Sequence, residues 1–195
     1  YTTASKAAFI TGLSVVLVPI FSALLLKRAP GRRAIVGVAL STIGLALLTL
    51  EHDLLPARGD LIVLGCAFCF ALHIIAVSRF ASHTDAMALT TLQLTVVALL
   101  SAAASLATES CPWPVRGDVL WAIIFTAVLA TALAFAIQNG VQAFTTPTHT
   151  ALIFAAEPVF AAIFGYFFAS ERLTQPGLVG CALILVGILL AELGD

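Results

Sequence analysis

The sequence predicts an all-α protein that crosses a membrane repeatedly, and three observations carry that expectation. Hydrophobic residues make up 61% of the 195 and charged ones 10%, against roughly 45–50% and about 25% in soluble domains. The charges are bunched and leave uncharged runs at residues 7–26, 34–50, 61–78, 86–108, 119–137 and 173–191, with a seventh, 147–169, interrupted once by Glu157. Each run approaches the ~20 residues an α-helix needs to cross ~30 Å of hydrocarbon. The third observation is a self-similarity at an offset of 143 residues.

A bundle of seven soluble helices would need a polar shell, which short connections of low charge do not supply. In lipid, helices and closed barrels alone satisfy the backbone. Barrel strands alternate polar and apolar residues, and these runs do not. About seven transmembrane helices are therefore expected. The net charge of −1 offers no basic face to nucleic acid. Cys66 and Cys69 form a C-x-x-C inside an apolar run, where small packing residues are the plain account, and Cys111 and Cys181 add no ligand spacing. No metal and no cofactor are expected. H-E-x-x-H, G-x-S-x-G and a Walker lysine are absent from the sequence, so no enzyme is predicted and transport without ATP is favoured.

The offset of 143 sets "TTASKAAFI" (Thr2 to Ile10) over "TTPTHTALI" (Thr145 to Ile153), and "VGVALSTIG" (Val36 to Gly44) over "VGCALILVG" (Val179 to Gly187), without a gap. A duplication explains identities spread so far at one shift. One period holds five apolar runs, so the second copy enters the membrane from the opposite side, the inverted-repeat design of many secondary transporters. Residues 1–50 are then the last two helices of the first repeat and 54–193 the complete second repeat, two five-helix bundles giving ten helices in all. The chain opens at Tyr1 and its one methionine is Met87, which suggests a fragment whose first three helices lie upstream.

Charge sets the expected orientation. The Lys27–Arg33 loop carries four of the nine basic residues, so the positive-inside rule makes it cytoplasmic, and alternation puts the C-terminus there too. The matching connection, with Glu171 and Arg172, faces outward, as do the connections at 51–60 and 109–118, each richer in acids than bases. Thr146 before Pro147, and Thr174 before Pro176, read as helix N-caps. Gly37 with Ser41, and Ala161 or Ala162 with Gly165, leave small residues where helices can approach closely. Trp113, Trp121, Tyr1 and Phe80 near span ends suit interface anchors.

The stretches "TTASKAAFITGLSVVLVP", "GVALSTIGLALLTL", "TTPTHTALIFAAEPVFAAIFGYFFASERLT" and "GLVGCALILVGILLAEL" resemble the EamA-type transporters of the drug/metabolite transporter superfamily. The features that carry the resemblance are the Glu-Pro helix, the Glu171–Arg172 pair after it and the Gly-x6-Gly spacing of the last helix. The resemblance implies two inverted five-helix halves in a bacterial inner membrane, moving small metabolites or drugs and often exporting them. One departure is that the first copy has Ser14 and Val15 where the second has Glu157 and Pro158.

An ionisable group at mid-span is costly and asks for a reason. Glu157 can take and release a proton during a transport cycle, or meet a cationic substrate group. The structural alternative is that it satisfies carbonyls freed by Pro158, which cannot donate to Phe154 and so kinks the span. Further pathway candidates are His73, Gln93, Gln138 and Asn139, for which interhelical hydrogen bonds of about 1 kcal/mol are the plain account. Lys6 and His149 coincide under the shift, and either snorkel to the interface or stand at opposite cavity mouths. The expected partners are a small-molecule substrate, the bilayer and a second copy in a homodimer. The competing functions are a membrane-embedded enzyme acting on lipid-linked substrates and a non-transporting scaffold or sensor.

Overall fold

A computed structural model describes residues 4–49, 58–108, 116–169 and 172–193. These form helices α1 (Ala4–Gly12), α2 (Ser14–Leu25), α3 (Arg32–Thr49), α4 (Arg58–Phe80), α5 (Ala86–Thr108), α6 (Gly117–Phe125), α7 (Ala134–Gln142), α8 (Pro147–Phe154), α9 (Glu157–Ala169) and α10 (Gln175–Glu192), with a π-helical segment, Thr126–Leu133, between α6 and α7. Seven helical stretches are long and apolar enough to cross a membrane: Lys6–Leu25, Arg32–Thr49, Arg58–Phe80, Ala86–Thr108, Gly117–Gln142, Pro147–Phe168 and Gln175–Glu192. Each contains one of the seven apolar runs over most of its length. The chain is a multi-pass membrane protein.

The chain divides into two compact units, one of Tyr1–Ala76 with Thr145–Asp195, the other of Val77–Phe144. In the first, Val15 and Val18 of α2, Leu45 of α3, Ile74 of α4, Leu152 of α8 and Ile184 of α10 are all but completely buried and form one apolar core. Its tightest contact is between α3 and α10. A Cβ built on Gly37 would stand 2.5 Å from the Gly187 carbonyl oxygen, and one on Gly44 would stand 2.5 Å from that of Gly180. Low residues of one helix therefore meet high residues of the other, and α3 and α10 run antiparallel. The 143 shift turns Gly37 into Gly180 and Gly44 into Gly187, so the two contacts exchange under a half-turn. Glycine is required here because any side chain would strike backbone atoms. Ser41, fully buried, packs in the same seam beside Gly187. At one end of the pair, Arg33 Nη1 donates to the Leu193 carbonyl oxygen at 2.8 Å, satisfying an orphan acceptor at a helix C-terminus.

Both caps expected from sequence form. The Thr146 hydroxyl accepts from the His149 amide and the Thr174 hydroxyl from the Gly177 amide, each at 3.3 Å.

In the second unit, Asp85 caps α5 by accepting from the Ala88 amide at 2.9 Å. Asn139 of α7 is fully buried and donates to Thr90 Oγ1 at 2.8 Å and to Gln93 Oε1 at 3.0 Å, both on α5. Gln138 donates to Gln142 at 3.1 Å. Most other side chains of α5 and α6 are exposed and apolar, as lipid-facing residues are. The π-helical turns were not foreseen: Thr131 Oγ1 donates five residues back, to the Thr126 carbonyl, at 3.0 Å, as a wider turn requires. Asn139→Leu is expected to lower stability by about 1 kcal/mol, because it removes both donations and strands Gln93 Oε1; a thermal unfolding midpoint equal to wild type in detergent would contradict this.

Candidate functional site

The first unit carries a half-open cavity of about 780 Å³. Its walls come from α1, the start of α2, the end of α3, Phe70 of α4, the α8–α9 junction and the start of α10. Five pairs of positions related by the 143 shift meet on it: Ala8 with Ala151, Thr11 with Phe154, Gly12 with Ala155, Ser14 with Glu157, and Val15 with Pro158. The cavity is therefore lined by both of the segments that the 143 shift relates. It runs from this mid-span belt to the end of the unit marked by Thr49, Arg172 and Thr174.

Two charged side chains, Glu157 and Arg172, stand on the wall, both exposed. Glu157 has no hydrogen-bond or ion-pair partner among the described residues, so it is not bonded to carbonyls freed by Pro158. The hydroxyls of Thr11, Ser14, Thr49 and Thr174 add polar points to a surface otherwise of alanine, leucine and phenylalanine. Phe70 packs edge-on against Phe154 with ring centroids 5.7 Å apart and stacks on His73 at 6.2 Å. Such a lining suits an organic molecule with a cationic or zwitterionic group, held by apolar contact and few polar anchors.

The break at the α8–α9 junction corrects one expectation. Pro158 is not required for such a break, because the helix also breaks at the equivalent place under the 143 shift, between Gly12 and Ser14, with Val15 in the position of the proline. The Val16 amide donates to the Leu13 carbonyl at 2.9 Å and the Leu17 amide to the same oxygen at 3.1 Å. Their equivalents are Val159 to Ala156 at 3.0 Å and Phe160 to Ala156 at 3.1 Å. Beside this break Gly12, a weak helix former, admits the buried Leu45 against the backbone, since a Cβ there would collide with Leu45 Cδ2. Pro158 falls in the first turn of α9, where a missing N–H costs little. Pro158→Ala is accordingly expected to leave the break in place, with an unchanged distance between spin labels at Ile153 and Phe164; a longer distance would mean the span had straightened.

The remaining candidates are scattered. Gln93, Gln138 and Asn139 belong to the buried amide cluster of the second unit. Lys6, half-buried on the first turn of α1, does not line the cavity. His149 is 7% exposed and has Nδ1 3.9 Å from Glu192 Oε1, so it does not snorkel, because the side chain points inward between α8 and α10. Glu171, Tyr1 and Trp113 lie outside the described residues. Sequence reasoning did not find Thr49, Arg172 and Thr174 as cavity residues; the signal was their position at the ends of α3 and α10, opposite the predicted cytoplasmic loop.

The EamA-like transporter family matches residues 1–50 and 57–193. An uncharacterized transporter of Archaeoglobus fulgidus is 32% identical over 193 residues, covering 99% of this chain and 62% of that protein. A second uncharacterized transporter of the same organism is 35% identical over 75 residues, 38% of this chain and 27% of its own length. The chain thus spans less than two thirds of the curated relatives it matches. A solved structure described as the crystal structure of a protein superimposes with a TM-score of 0.85 at 21% identity, covering 98% of this chain and 68% of that one. That likeness is one of fold.

Proposed function

The chain belongs to the EamA-like transporter family, whose members point to transport rather than catalysis, and from that premise we propose a secondary active carrier that exports small metabolites or drugs by alternating access between two inverted repeats. The observation that carries this is an inequality between equivalent helix pairs. Along its apolar face α2 packs on α8, whereas their counterparts α9 and α1 face each other across the cavity. Two copies of one fold in two packings are what a two-state carrier requires.

In this reading the cycle exchanges which pair is packed. The α3–α10 seam serves as the pivot, and Glu157 couples transport to protons or meets the substrate. Ala8, Gly12, Ala161 and Ala162 on the open pair are small enough for α1 and α9 to close. With the Lys27–Arg33 loop cytoplasmic, in a bacterial inner membrane, the cavity described here faces outward.

A pair of cross-links tests the proposal. Val18 and Ala151 are buried on the packed pair; Ala8 and Ala161, their equivalents, line the cavity. Cysteines joined at either pair should abolish substrate counterflow, each by holding a different state. Counterflow that survives both cross-links would defeat alternating access, and no counterflow in the uncross-linked protein would favour a scaffold. Impermeant labels should also reach Arg33→Cys and Arg172→Cys from opposite sides of the membrane; labelling from one side would defeat the inverted threading.

A further inference from the structure

A second cavity, of about 160 Å³, lies in the first unit. Ala34 is on its wall and Thr49 on that of the larger cavity, which puts the two at opposite ends of α3. One side of the small cavity is the turn after α2. Lys27 adopts a φ of 54°, a left-handed conformation uncommon outside glycine. The turn is clasped twice: the Arg28 amide donates to the Ser22 carbonyl at 3.2 Å, and Ser22 Oγ donates to the Arg28 carbonyl at 3.1 Å. Arg28 is thereby held on the cavity wall, with Lys27, Arg32 and Arg33 close by in sequence.

The facing side is the first turn of α8. Thr146 caps the His149 amide and Pro147 has no N–H, so the Thr148 amide remains as a first-turn donor at the positive end of the helix. An independent observation comes from the Thr148 side chain. It is 3% exposed, lines the cavity and has no hydrogen-bond partner among the described residues. Its Oγ1 is not one of the buried side-chain atoms left without a partner, so the oxygen is open to the cavity and available to a group bound there. His149 completes the wall, with Glu192 against its Nδ1.

We propose that this cavity binds a phosphate group, supplied in the cell by the headgroup of an anionic phospholipid. Arg28, the α8 N-terminus and the Thr148 hydroxyl share the wall of this cavity, and these are groups that recognise phosphate. The lipid source follows from the position, a basic pocket between spanning helices at the end of the unit where four basic residues cluster. The bound group would bridge the α2–α3 turn to α8 and so hold the packed pair α2–α8 together. That consequence rests on the carrier reading; binding itself does not.

The test uses the intact, delipidated protein in neutral detergent, with phosphatidylglycerol, phosphatidylcholine of the same chains, or inorganic phosphate added. Lipid retention is followed by native mass spectrometry and stability by thermal unfolding. Phosphatidylglycerol should be retained and raise the unfolding midpoint, phosphatidylcholine should not, and inorganic phosphate should displace the lipid. Arg28→Gln and the near-isosteric Thr148→Val should each weaken retention about tenfold, the loss of one charge-assisted contact, and Arg116→Gln, which removes a charge that does not line the cavity, should not. Equal retention of phosphatidylglycerol by wild type, Arg28→Gln and Thr148→Val would overturn the site. Stabilisation by inorganic phosphate with no preference between the lipids would overturn the lipid source. Neither readout requires transport, so the site and the carrier reading fail separately.

Discussion

Glu157→Gln is expected to reduce transport driven by a pH gradient in reconstituted vesicles by on the order of tenfold or more, which corresponds to at least about 1.4 kcal/mol of a charge-dependent interaction. Glutamine keeps the shape and the polarity but can neither carry a proton through the cycle nor neutralise a cation. The structure sharpens this expectation, because the carboxylate is exposed on the cavity wall and bonds to no described residue. Its replacement therefore breaks no internal contact, and expression and unfolding midpoint should match wild type. A transport deficit without a stability deficit is the signature of a group used by the substrate or the coupling ion. Normal pH-driven transport by the variant would remove Glu157 from the mechanism and leave Arg172 as the charged group on that wall. The comparison should include Ser14→Ala, the equivalent position in the first copy, which is expected to have a much smaller effect because no charge is lost.

Gly180→Val is expected to have the largest effect on folding. A Cβ at this position would stand 2.5 Å from the Gly44 carbonyl oxygen and 2.9 Å from the Leu48 amide nitrogen. Neither atom can rotate away, since both belong to the backbone of α3. The helices would have to separate along their whole crossing, giving up close packing for a loss of about 3 kcal/mol or more. Size-exclusion profiles of the expressed protein should change from one symmetrical peak to aggregate. Gly65→Ala provides the control, because nothing lies within 4 Å of a Cβ built there; it should be neutral or mildly stabilising. A monodisperse Gly180→Val protein with a wild-type midpoint would mean that α3 and α10 do not meet through these glycines.

The spans were legible because charge is scarce and falls at most of their ends; the turn at 143–146, between α7 and α8, carries none and was marked by Thr146 and Pro147 instead. The caps at Thr146 and Thr174 were legible because a hydroxyl before proline has one local use. Gly37 and Ser41 announced a close approach, although the partners did not follow from spacing; only the fold shows that Gly37 meets Gly187 and Gly44 meets Gly180. The break at Leu13 escaped the sequence reading, because no proline marks it and the Leu45 side chain that lies against Gly12 comes from another helix. The π-helical turns of Thr126–Leu133 were hidden for a different reason. Their alanines, leucines and threonines suit an α-helix equally well, and since none of them is buried no core contact signals the change of register. Asn139 was visible as a buried amide, but which of its neighbours accepts was not. Least legible was that α2 packs on α8 while α1 and α9 face each other across the cavity, since the shift that relates the two pairs does not say which of them packs.

The glycine seam between α3 and α10 is symmetric in its backbone, with Gly37 against Gly187 and Gly44 against Gly180, but not in its side chains. Ser41 lies against Gly187 where its counterpart under the shift, Ile184, lies against Gly44. As the axle of the proposed carrier, such a seam is not neutral, because a hydroxyl on one half answers a branched alkyl group on the other. Part of the bias between the two ends of the stroke is then built into the pivot itself, beside the inequality of Glu157 and Ser14 on the cavity wall.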